Sequence, residues 1–142
     1  MKTVSRSLEF TTPADAIWAV ASDFSRYGEW RQSHNDFPEG PPSLDPNSSF
    51  KENLLLMGMP GQAEWTVSEI DAPRSLLLSG KGPMGVSLGM HLELAPNGAG
   101  TTVTIESKFG GGMLMGPLAS QAEKALGESD EVSLQKLRDL VA

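Results

Sequence analysis

The segment from Val86 to Phe109 restricts the choice of fold more than any other part of the chain. Val86, Leu88, Met90, Leu92 and Leu94 alternate with Ser87, Gly89, His91, Glu93 and Ala95. After a Pro96-Asn97-Gly98 turn the pattern resumes: Val103, Ile105, Ser107 and Phe109 alternate with Thr102, Thr104, Glu106 and Lys108. A period of two places each set on opposite faces of a strand. The apolar face must then be covered. The chain offers one long cover. Gly110-Gly111-Gly112 breaks the alternation, and Gly116-Pro117 opens a predicted helix to about Val141. Leu118, Ala122, Ala125, Leu126, Leu137, Leu140 and Val141 recur there at helical spacing. Roughly 25 helical residues span about 37 Å. Its middle, Glu128 to Glu131, reads as acidic and solvated. Gly127 marks a bend or a close contact.

The remaining elements fit that frame. Lys2 to Phe10 alternates as a strand. Thr12 is placed to N-cap a helix with Pro13 at its first position, followed by Ile17, Trp18, Val20, Ala21 and Phe24. Ser25 reads as the N-cap of a second short helix through Trp30. Arg31 to Ser49 is rich in Pro and polar residues and reads as a long loop. Strands follow at Phe50–Met59, Gln62–Ile70, Ser75–Lys81, Met84–Ala95 and Thr101–Phe109, with turns every 10 to 14 residues or so. The expectation is an α+β helix-grip fold: a curved antiparallel sheet of about six strands around a long C-terminal helix, with two short helices after the first strand. One domain over residues 1–142 is expected.

Composition excludes several functions. There is no cysteine, so no disulfide or thiolate metal site. Eleven basic residues are scattered among eighteen acidic ones, giving a net charge of −7. Nucleic acid, which needs a basic face, is not an expected partner. There is no signal sequence and no apolar run near 18 residues, so a cytoplasmic setting without integral membrane contact is expected.

The stretch Ile17-Trp18-Ala19-Val20-Ala21-Ser22-Asp23-Phe24-Ser25-Arg26-Tyr27-Gly28-Glu29-Trp30 resembles the front of START-like proteins of the polyketide cyclase/dehydrase and lipid-transport superfamily (SRPBCC). The pattern is a Pro-led helix, an Asp, and a Tyr three residues before a Trp: Pro13, Asp23, Tyr27 and Trp30. Gly58-Met59-Pro60 with Glu64-Trp65-Thr66-Val67, Phe109-Gly110-Gly111 and Ser133-Leu134-Gln135-Lys136-Leu137 resemble an actinobacterial branch whose members are often labelled toxins of toxin–antitoxin pairs. The resemblance covers nearly the whole chain. It implies the helix-grip fold and leaves function open among binders, transporters, cyclases and toxins.

Strand parity suggests an inner wall that is almost wholly apolar, with the Ser107 hydroxyl its one clear polar group and the strand charges outside. Such a wall suits a small hydrophobic ligand, lipid or polyketide-like, or else a filled core. The candidate ligand-binding residues are Trp30, Trp65, Val67, Val86, Leu88, Met90, Leu92, Ile105, Ser107, Phe109, Met115, Leu118 and Ala122. The alternative is a cyclase/dehydratase-type enzyme without metal or cofactor, which needs an inward polar group among His34, Arg31, Tyr27 and Ser107. Solvent exposure is the commoner state for a loop histidine such as His34. Two histidines without HExxH spacing give no zinc motif. Gly111 to Gly116 lacks the lysine of a phosphate loop, because Pro117 stands in its place. The branch resemblance adds a toxin role exercised through an antitoxin-like protein partner.

Overall fold

The computed structural model describes residues 1–112 and 116–142. The elements are β1 (Lys2–Phe10), α1 (Ala14–Ala21), a 3₁₀ helix (Phe24–Glu29), β2 (His34–Asp36), β3 (Ser49–Leu56), β4 (Met59–Asp71), β5 (Ser75–Lys81), β6 (Ser87–Asn97), β7 (Gly100–Gly110) and α2 (Pro117–Val141). A short 3₁₀ turn at Pro83–Gly85 precedes β6. All strands join one antiparallel sheet in the order β1-β7-β6-β5-β4-β3-β2. This is the expected helix grip with one strand more. The extra strand, β2, pairs His34 with Leu54 and Asp36 with Asn53 inside the segment expected to be loop. Three polar residues carry too little alternation to announce a strand.

Local signals moved a few boundaries. The β3–β4 hairpin turns at Met57-Gly58 rather than Pro60-Gly61. Both turn residues have positive φ, 50° and 76°, as a two-residue turn between twisted strands requires. Pro13, not Thr12, caps α1, and no side-chain cap bond forms. Asp23, not Ser25, caps the 3₁₀ helix, accepting a hydrogen bond from the Ser25 backbone N–H.

The inner face follows the expected parity. Leu88, Met90, Leu92 and Leu94 of β6 and Val103, Ile105, Ser107 and Phe109 of β7 are buried. Trp65 and Val67 of β4 and Leu76 and Leu78 of β5 join them. Helix α2 packs chiefly on β1 and also reaches α1, β7 and β3. Its buried face is made of small residues and one charge: Ala119, Ala122, Gly127, Asp130 and Ser133, then Leu134 and Leu137. Gly127 is the close contact rather than a bend, because the Arg6 guanidinium of β1 lies over it. No helix among the described residues is long and apolar enough to cross a membrane.

Two glycines separate rigid from yielding packing. At Gly80 an added Cβ would sit 2.5 Å from Trp65 Cε3 and 3.0 Å from the Glu64 carbonyl oxygen, neither of which can step aside. Gly80→Ala is expected to cost about 1–3 kcal/mol. At Gly127 the clash falls on the tip of Arg6, a half-exposed side chain able to swing away from Glu131. There the helix-propensity gain of about 1 kcal/mol offsets a weak surface ion pair, and Gly127→Ala should be near neutral. Urea unfolding of both variants checks the contrast.

Candidate functional site

The interior is not wholly apolar. The segment after the 3₁₀ helix carries Arg31 inward, where its Nη1 donates to Asp130 Oδ1 of α2 at 2.7 Å. Ser107 Oγ of β7 donates to the other oxygen, Oδ2, at 2.8 Å. Asp130 is 0% exposed and Arg31 8%. Next to Arg31, the Gln32 backbone N–H donates to Ser133 Oγ at 2.9 Å, and that hydroxyl donates to the Ser129 carbonyl. Three parts of the chain thus meet at one carboxylate.

A second buried carboxylate, Glu52 of β3, gathers the other side of the sheet. Trp65 Nε1 donates to Glu52 Oε1 at 3.0 Å, and His34 Nδ1 lies 2.7 Å from Oε2. Tyr27 sits between the two groups, edge-on to both His34 and Trp30. Burial is the main cause that holds its phenol well above the ordinary tyrosine range, against a smaller pull from Arg31. Burial opposes the Arg31 charge, but Asp130, with Tyr27 and Glu52, more than offsets it and keeps the guanidinium charged. Among the described residues, the buried Trp30 Nε1 and Ser129 Oγ have no hydrogen-bond partner.

A cleft of about 380 Å³ lies between α2 and the β3–β4 hairpin. Its wall is mostly apolar: Leu55, Met57, Leu88, Phe109, Ala122, Ala125, Leu126 and Val132, with Gly58 at the hairpin. Its polar members are Gln32, Ser33, Glu128 and Ser129. A void of about 30 Å³ lies against the polar network and shares Ser33, Leu88 and Leu126 with the cleft wall.

The candidate residues separate into groups. Leu88, Phe109 and Ala122 line the cleft. Tyr27, Arg31, Trp65, Met90 and Ser107, with Leu88 again, surround the small void. His34 is tied to Glu52, its side chain 6% exposed, so it is not the solvated loop histidine. Trp30, Val67, Val86, Leu92 and Ile105 are packed in the core and line neither space. Leu118 is 40% exposed and lines neither, because α2 turns its small residues inward there. Met115 lies outside the described residues. Two expectations are corrected: the inner wall carries charge, and the acidic middle of α2 is not uniformly solvated.

Glu52 and Asp130 were the residues sequence reasoning missed. Both had a signal. Phe50, Glu52 and Leu54 share one strand face, and all three are buried. Asp130 stands four residues from both Leu126 and Leu134 and seven from Leu137, on one helical face. Their charge argued for solvent, and periodicity argued correctly for the interior.

Comparison with known proteins places this geometry. A family model described as polyketide cyclase / dehydrase and lipid transport matches residues 1–142. A Mycobacterium tuberculosis protein named Toxin Rv0910 is 29% identical over 136 residues, covering 95% of this chain and 94% of that one. The uncharacterized protein Rv1546 of the same species is 28% identical over 141 residues, 99% of each chain. A solved START superfamily protein from Mycobacterium smegmatis superposes with a TM-score of 0.75 at 19% identity, over 98% of this chain and 96% of that one. That last likeness concerns the fold alone.

The network yields two expectations. Asp130→Ala leaves Arg31 charged, buried and unpaired, and should cost about 3–5 kcal/mol in chemical denaturation; Asp130→Asn, whose one oxygen can accept from Arg31 while its NH₂ donates to Ser107 Oγ, should cost less. Tyr27 is the chain's single tyrosine, so phenolate absorbance reports on it alone. An unfolded tyrosine loses its proton near pH 10 or so, while the folded one keeps it above that. The folded state therefore binds more protons in that window, and stability falls as pH rises through it. The phenolate signal should appear together with unfolding and not as a separate step in the native protein.

Proposed function

From the chain's membership of the polyketide cyclase/dehydrase and lipid-transport family, we propose that it binds a small, largely hydrophobic molecule in the cleft between α2 and the β3–β4 hairpin. The observation that carries this reading is the cleft itself. Its volume of about 380 Å³ suits a small-molecule site, for which about 300–1,000 Å³ is usual, and apolar walls with a few polar groups suit it equally. Leu88, Phe109 and Ala122 are the wall residues carried over from the sequence, joined by Leu55, Met57, Ala125 and Leu126. Met57 offers an adaptable surface to varied ligand shapes. The buried charges do not make this an ionic site, because each carboxylate is already held by protein donors. The polar lining residues Gln32, Ser33 and Glu128 favour an amphipathic ligand over a purely oily one.

A cyclase/dehydratase-type activity is the second reading. One observation favours it: Tyr27, Arg31, His34 and Ser107 all point inward, as a catalytic site would need. Against it, Arg31 and Ser107 are committed to Asp130 and His34 to Glu52, which leaves less freedom to move protons to a substrate. The name of the Mycobacterium tuberculosis relative supports a third role, a toxin acting through a protein partner. Growth arrest on induced expression is its test.

Nile red should bind the purified chain and report the cleft by fluorescence. Ala125→Trp, which fills the cleft from a half-buried position on α2, should weaken that binding by about tenfold or more, roughly 1.4 kcal/mol, with little change in Tm. Native mass spectrometry with added polyketide-like chains separates the first two readings. A carrier returns the molecule unchanged; a dehydratase returns it lighter by the mass of water, and a cyclase without water loss returns an isomer of equal mass that chromatography separates.

A further inference from the structure

On that binding reading, we infer that the cleft discriminates against anionic headgroups: it takes a chain ending in a hydroxyl, amide or ammonium and not one ending in a carboxylate. The cleft's polar lining is an amide, two hydroxyls and a carboxylate, from Gln32, Ser33, Ser129 and Glu128, with no lysine or arginine among the lining residues. The nearest buried cation, Arg31, is matched by Asp130 at 2.7 Å. Behind the wall, the small void is lined by the Glu52 carboxylate together with Arg31 and Lys108, so the charge that faces a headgroup is that of Glu128. A ligand carboxylate would lose its hydration and meet the Glu128 carboxylate with no cation among the described lining residues to pair with it, in a chain whose net charge is −7.

The same lining can serve a neutral headgroup. Lys136 Nζ donates to Gln32 Oε1 at 2.6 Å. That bond occupies the amide oxygen and leaves the Gln32 NH₂ group as a donor. Lys136 and Glu128 are both exposed, but the Glu128 carboxylate is part of the lining, whereas Lys136 stands outside it with its ammonium engaged by the Gln32 oxygen. Ser129 Oγ has no partner among the described residues, and Ser33 stands between cleft and void. The Ser33 hydroxyl and the Gln32 amide donor match a hydroxyl or carbonyl without adding charge, while the buried Ser129 Oγ lies beneath them.

The test is displacement of Nile red from the full chain by decanol, decylammonium and decanoate, at neutral pH and low salt. The three share one tail. Decylammonium carries the desolvation cost of a charge with the opposite sign, so it separates that cost from the sign of the field. Decanol and decylammonium should each displace Nile red at concentrations at least about tenfold lower than decanoate. Glu128→Lys, a change at an exposed rim position, should narrow the gap between decylammonium and decanoate by about tenfold, and added salt should narrow it in the wild type. Decanoate binding as well as the other two overturns the inference, and so does a gap that Glu128→Lys leaves unchanged. If Nile red and all three amphiphiles fail to bind, the binding reading itself falls and takes the inference with it.

Discussion

The buried pair between Arg31 and Asp130 sets the position of the long helix against the sheet. Two charges removed from water are tolerated only when each is held in good geometry, and losing either partner leaves the other stranded. Asp130 accepts from Arg31 and from Ser107, so its carboxylate joins α2, β7 and the segment leading to β2. The Gln32–Ser133 bond adds a second tie one turn further along. Glu52 does the same across the other half of the sheet, joining β3, β4 and β2 through Trp65 and His34. Helix α2 is thereby held against β1 with small residues, and space is left on its other flank, where the cleft lies.

The division between what the residues announced and what they concealed has a physical cause. Alternation in β6 and β7 is strong because one face of each strand is fully dry, and it placed Leu88, Met90, Ser107 and Phe109 correctly. The order of strands and the long final helix followed from the same periodicity and from the glycine break. The polar network was concealed because hydrophobicity is a poor guide to a paired charge. Glu52 and Asp130 sit on apolar faces by spacing but resemble solvated residues by type. Their partners lie 18 and 13 residues away for Glu52 and 99 and 23 for Asp130. Local pattern carries no information at those separations. β2 was missed for a related reason: its pairing is defined by β3, and not by its own three residues.

Family membership and site geometry constrain different things. The family supplies the sheet and the gripped helix. What the cleft admits is decided by a few residues of this chain: the hairpin that presents Leu55 and Met57, the alanines of α2, and the amide and hydroxyls beside Glu128. The inward polar network, expected to be absent from a carrier, is compatible with carriage because it is satisfied within the protein. It lies against the small void, behind the wall that Ser33, Leu88 and Leu126 share with the cleft.

The hairpin turn and the outer flank of α2 form the margin of the cleft, and Leu55, Gly58 and Glu128 there are exposed. On the binding reading, an occupant would leave past these exposed residues. Its residence time would then be set by rewetting of the apolar surfaces. Dissociation should then vary with tail length more than arrival does.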